Sequence, residues 1–273
     1  MRRIFLMSSV LFVAPFVFGE SGEVSAQCVA TQDCASLGYT EASCPNGGIK
    51  CPFGNTWSCK GEKEEEKAVF GICTGYAKNC KIGQILNSDG TCTTDKVSGK
   101  SPIGVVVYIG EEGCGQAMAS TFAAREIIWS TEEVSTGVMA SSDLSVIAYD
   151  TDSCGNTKKI IALGGSSVYP AAWAAANYAP SAAPETKGKW CLPAAGIMKS
   201  VSDNDAVINA GIARLNGFQI TSGSGMSSAN YWTSSEYNRF MAYYLSYGSG
   251  KSLASGNKDV AGFYWYVIPV ILF

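Results

Sequence analysis

The side chains able to do chemistry in this chain are of few kinds. It holds eleven cysteines and no histidine in 273 residues. Without imidazole it lacks the usual general base at neutral pH, the commonest metal ligand, and every Ser-His or Cys-His nucleophile pair. Carboxylate and thiol chemistry remain. Glu236 follows Ser234 and Ser235 and lies between Trp232 and Tyr237. It reads as a buried hydrogen-bond hub in preference to a site carboxylate, because a carboxylate among aromatics is ordinarily satisfied by hydroxyl or backbone donors. Asp150-Thr151-Asp152 and Asp203-Asn204-Asp205 are rich in oxygen, but they lack the D-x-D-x-D-G loop with its distal Glu that calcium requires. They read as turns and helix caps. No catalytic residue, metal or cofactor is expected, and the chain is not expected to be an enzyme.

The thiols point elsewhere. Cys28, Cys34, Cys44, Cys51, Cys59, Cys73, Cys80 and Cys92 crowd the first third of the chain, and only Cys114, Cys154 and Cys191 follow. Their gaps of five to thirteen residues do not match the tight Cys pairs of zinc sites. A disulfide framework is expected, with its pairing left open among the first eight. Cys114 and Cys154 are expected to bridge two loops, leaving Cys191 as a buried thiol beside Trp190.

Oxidised cysteines require export, and the N-terminus carries an address for it. Met1-Arg2-Arg3 is basic, Ile4 to Phe18 is apolar but interrupted by Ser8-Ser9 and Pro15, and Val24-Ser25-Ala26 supplies small residues. This is the pattern of a cleaved secretory signal, cut after Ala26 or alternatively near Gly19. No later segment is apolar for long enough to span a bilayer. Secretion or display at the cell surface follows. The net charge of −3, with 16% charged residues, argues against nucleic acid as a partner.

Composition divides the rest. Residues 1–26 are the signal peptide, 27–92 a small cysteine-rich module too poor in apolar residues for its own core, and 93–100 a polar linker. Residues 101–273 are a larger domain. In it, Ile103 to Ile109 is a β-branched run and reads as a buried strand. Ser145–Tyr149 and Lys159–Leu163 read as strands around a turn. Pro170 to Tyr178 reads as a helix opened by Pro. A second helix, Asp205 to Leu215, carries Ile208, Ile212 and Leu215 on one face. A short helical piece follows Trp190, Met241–Tyr247 is a strand, and Phe263 to Ile271 is the last strand. Periodicity alone supports an α+β class.

Three blocks carry a family resemblance. They are Trp190-Cys191-Leu192-Pro193, Tyr231-Trp232-Thr233-Ser234-Ser235-Glu236, and Tyr266-Val267-Ile268-Pro269-Val270 with a terminal Phe273. Their order over residues 101–273 resembles the C-terminal domain of Legionella collagen-like adhesin (DUF1566) and the related Fibrobacter major paralogous domain. The resemblance implies a C-type-lectin-like domain, two helices among antiparallel strands, behind the disulfide-rich module. It assigns Trp190, Leu192, Pro193, Trp232, Ser234, Ser235, Glu236, Pro269 and Phe273 to the structural motif. It also implies an adhesion or binding role toward a glycan or surface protein, with a structural envelope component as the alternative. An enzyme like the formylglycine-generating oxidases, which share a related fold, would need a cysteine pair in an open cleft. In this chain Ile268 replaces the usual Arg before Pro, removing a cation that would pair with Glu236. Contact with a neutral glycan or a protein is expected from Tyr237, Tyr243, Tyr244 and Tyr247, whichever of them strand alternation turns outward. Glycosaminoglycan is disfavoured, since residues 101–273 hold ten Lys and Arg against thirteen Asp and Glu.

Overall fold

A computed structural model describes residues 39–43, 58–63, 67–216, 229–247, 250–260 and 265–273. The chain forms two compact units, Met1–Glu65 and Glu66–Phe273. In the first, strands β1 (Tyr39–Ser43) and β2 (Ser58–Lys63) pair antiparallel. The predicted signal peptide at 1–26 and Cys28, Cys34, Cys44 and Cys51 lie outside the described residues, while Cys59 falls in β2.

The second unit is built on two sheets. One has the strand order β4 (Cys92–Thr93), β3 (Ile85–Asn87), β5 (Pro102–Ile109), β6 (Gly115–Ala119), β13 (Val270–Leu272), β8 (Trp190–Cys191). The other runs β11 (Ser252–Asn257), β10 (Met241–Ser246), β9 (Asn230–Glu236), β12 (Trp265–Val267), β7 (Ala124–Arg125). Pairing is antiparallel except between β9 and β12. Five α-helices are described: α1 (Leu144–Ile147), α2 (Ser153–Leu163), α3 (Pro170–Ala176), α4 (Ala195–Asp203) and α5 (Asp205–Arg214). The molecule is therefore mixed α and β with largely antiparallel sheets.

Strand β5 shows why the sequence folds this way. Its Val105 and Val107 enter a core with Met118, α4 and the inner face of β9 to β11. Ile103 and Val106 enter a second core with Leu86, Trp190, Ile271 and Phe273 on the opposite face. A strand covered on both faces needs a continuous apolar run, and that is what residues 103–109 provide. Helix α4 spans the gap between the sheets, packing on both β5 and β10. A third core gathers Trp129, Tyr169, Ile160, Leu192 and Trp232 beneath α2 and α3.

The structure corrects four expectations. First, residues 93–100 are not a domain linker. Strand β3, from the supposed cysteine module, pairs with β5 (Ile85↔Val105, Leu86↔Gly104), and both Ile85 and Leu86 are fully buried. Residues 67–92 lack a core of their own and complete that of the larger unit, so the boundary falls at Glu65/Glu66. Second, Ser145–Ile147 and Lys159–Leu163 are helical, with Ala148 and Tyr149 in the turn after α1. Asp143 accepts a hydrogen bond from the Ser145 amide and Asp152 from the Gly155 amide, each at 2.8 Å. These side-chain caps start α1 and α2 where β-branched composition suggested strands. Third, the last predicted strand is two. Ile268-Pro269 interrupts it, and β12 and β13 lie in different sheets, as expected where proline removes a ladder donor.

Fourth, the cysteine pairing differs. The described disulfides are Cys73–Cys114, Cys80–Cys92 and Cys154–Cys191. Cys114 therefore reaches back to the preceding cysteine-rich segment, and Cys191 is not a free thiol. Strand β8 lies beside α2, which brings Cys191 to Cys154.

Candidate functional site

The polar residues singled out from the sequence assemble into two buried networks. In the first, Asp150 is held by Asn156 Nδ2 at 2.9 Å and by the Ser235 hydroxyl at 2.5 Å. Ser235 in turn accepts from the Ala195 amide at 2.8 Å, and Ser153 accepts from the Ala194 amide at 2.8 Å. Thr157 accepts from Leu192 N at 2.9 Å. The start of α2, the Leu192-Pro193 turn and strand β9 are thereby locked together. Asp152 caps α2, and neither it nor Asp150 lines either of the two clefts described below.

The second network centres on Glu236, which is fully buried and bonded by Thr136 N and Oγ1 (both 3.1 Å) and Ser135 Oγ (3.2 Å). Its charge is met by Lys258 Nζ at 2.5 Å, also buried. That ammonium donates to Val134 O at 2.8 Å and lies 4.7 Å from the centre of the Trp129 ring. Burial pulls Lys258 below the ordinary lysine pKa, with the hydrogen bond and charge of Glu236 opposing it. The cation that meets Glu236 thus comes from the residue directly after β11. Nothing local marked Lys258 in the sequence, because two hairpins, β9–β10 and β10–β11, separate it from its partner. Both networks are saturated by protein donors and hold loops in place.

Trp190, Leu192, Pro193, Trp232, Ser234, Ser235, Glu236, Pro269 and Phe273, the residues singled out from the three sequence blocks, are all buried. Trp190 Nε1 donates to Thr186 Oγ1 at 2.8 Å and Trp232 Nε1 to Ile127 O at 2.9 Å. Indoles so placed are core residues with their polar handle satisfied. The tyrosines expected to meet a ligand do not share an exposed face. Tyr243 and Tyr247 are 1% and 7% exposed and belong to the main core, and Tyr237 and Tyr244 are half-buried. Tyr244 packs on the opposite side of the sheet, against Trp232 and Trp265. Burial raises the phenol pKa of Tyr243 and of Tyr247.

Among the described residues, two concavities lie along α4. A groove of about 520 Å³ runs between α4, the end of β5 and α1, with Tyr108, Tyr149 and Ser200 on its walls. An adjoining cleft of about 220 Å³ is lined by Leu144, Ser202 and Leu253. Lys199 and Asp203 border both, joined at 2.7 Å across one turn of α4. Lys251 in the smaller cleft pairs with Asp205. Tyr149 is 83% exposed, an unusual position for a large ring. Gly196 packs against the chain before and after this tyrosine: a Cβ at Gly196 would lie 2.5 Å from Ala148 O and 2.6 Å from Asp150 O. The sequence pointed to neither Tyr149 nor Tyr108, since both sat in predicted strands.

The Cys154–Cys191 pair is a crosslink packed on the main core and lines neither cleft.

Comparison with protein-family models finds no match, and comparison with curated proteins finds none either. Among solved structures, the chain is similar to a fimbrial protein from Bacteroides ovatus ATCC 8483, with a TM-score of 0.47 and 15% identity. The match covers 71% of this chain and 49% of that one, so the chain spans about half the length of the fimbrial protein.

Proposed function

We propose that this chain is an exported, non-catalytic binding or adhesion protein. Its C-type-lectin-like unit holds a neutral glycan in the groove along α4. The observation that carries the reading is Tyr149, a ring left almost bare beside a groove of a size typical for ligands, about 300–1,000 Å³. A ring face of this kind offers a platform for the apolar face of a sugar, and Tyr108, Ser200 and Asp203 supply polar edges around it. The cations bordering the two clefts are paired with carboxylates, which favours a neutral ligand over a sulfated one. The saturation of Glu236 and Asp150 by internal partners supports binding without chemistry, and three disulfides suit an oxidising compartment.

A glycan array probed with the disulfide-intact protein tests this. Neutral oligosaccharides are expected to score, and Tyr149→Ala to weaken them about tenfold, equivalent to ~1.4 kcal/mol. Binding that ignores Tyr149→Ala removes the groove from the reading. An empty array, or one showing only sulfated chains, removes the neutral glycan.

A further inference from the structure

The two concavities along α4 meet at an ion pair. Lys199 and Asp203 line both of them, and as residues four apart on one helix they stand side by side. The smaller cleft, about 220 Å³, falls below the size that ordinarily holds a whole ligand, about 300–1,000 Å³. It has room for a substituent of a molecule seated in the larger groove.

The lining of the smaller cleft limits what that substituent is. Leu144 and Leu253 give it an apolar wall. Ser202 Oγ donates to Lys251 O at 2.5 Å, and the Lys251 ammonium is taken up by Asp205. The Lys199–Asp203 pair keeps capacity. Its ammonium meets the two carboxylate oxygens at 2.8 and 2.7 Å, which occupies two of three donors and one lone pair on each oxygen. The two side chains are 50% and 54% exposed, so the remaining donor and lone pairs face water. A cation donor, a carboxylate acceptor and a hydrocarbon surface thus border one small space.

An acetamido group carries the complementary set: a carbonyl that accepts, an N–H that donates, and a methyl. A hydroxyl has no methyl to bury, and a carboxylate or sulfate would set a second anion against Asp203. We propose that the ligand is a neutral oligosaccharide containing an N-acetylated sugar, whose acetamido group enters the smaller cleft while the rest of the chain lies in the larger groove. Its carbonyl accepts from Lys199 Nζ, its N–H donates to Asp203, and its methyl packs on Leu144 and Leu253. This inference rests on the neutral-glycan reading of the groove and adds the class of sugar to it.

Chitotetraose and cellotetraose test it, since both are neutral and differ only in an acetamido group or a hydroxyl at C2 of each ring. Calorimetric titration of the full-length, disulfide-intact protein is expected to find chitotetraose about tenfold tighter, from two added hydrogen bonds and a buried methyl. Leu144→Asn and Asp203→Ala, both at exposed positions, should bring the ratio of the two affinities close to one with the circular dichroism spectrum unchanged. The ratio is the readout because Asp203 also borders the larger groove, where its loss would lower both affinities together. Equal affinities that both fall with Tyr149→Ala overturn the acetamido assignment and leave the groove reading standing. A preference that survives Leu144→Asn and Asp203→Ala overturns its placement in the smaller cleft. Failure of both tetrasaccharides to bind overturns the assignment as well, and the glycan array then decides the groove by itself.

Discussion

Glu236 shows how one residue type can suggest chemistry and serve structure. Flanked by hydroxyls and aromatics, it has the surroundings of a reactive carboxylate, yet Lys258, Thr136 and Ser135 take up its lone pairs. A buried ion pair adds little net stability compared with an apolar replacement, but losing one partner strands the other charge. Lys258→Met should therefore cost about 3–5 kcal/mol, measured as the shift in urea unfolding with disulfides intact. The double variant Glu236→Gln, Lys258→Met should recover much of that loss. A single variant as stable as wild type would show that the pair is not desolvated as described.

At the scale of elements, disulfides and caps place what the strands cannot. Cys154–Cys191 ties α2 to β8 and closes a loop with a sequence separation of 37 residues. Chain-entropy reasoning puts its contribution at about 4 kcal/mol. Replacing both cysteines by serine should lower stability by an amount of that order, read by denaturant unfolding. A change below ~1 kcal/mol would mean the polar network through Ser153, Thr157 and Ser235 already fixes this corner. The helices α1 and α2 were missed in the sequence for a related reason. Two aspartate caps outweighed β-branched composition, and a cap is a local hydrogen bond that apolar periodicity does not register. By contrast, α3 and α5 were legible because Pro170 opens one and Ile208 with Ile212 forms a buried stripe on the other.

For the whole molecule, the decisive correction is the boundary. A chain beginning at Glu66 keeps β3, β4 and the Cys73–Cys114 bridge, whereas one beginning at Ser101 exposes the β5 edge and the core around Leu86. The first should unfold cooperatively on heating. The second should be aggregated or far less stable, as followed by circular dichroism. Equal stability of the two would return the boundary to residues 93–100. The sequence alone determined the oxidative, histidine-free chemistry, the apolar run of β5, the burial of the Trp190 and Trp232 blocks and the mixed α and β class, because these depend on residue type and short-range period. Tertiary structure alone decided which cysteines meet, that Lys258 answers Glu236, and that Tyr243 and Tyr247 turn inward while Tyr149 stands exposed. Each of those depends on the approach of residues far apart in the chain, which no local pattern encodes.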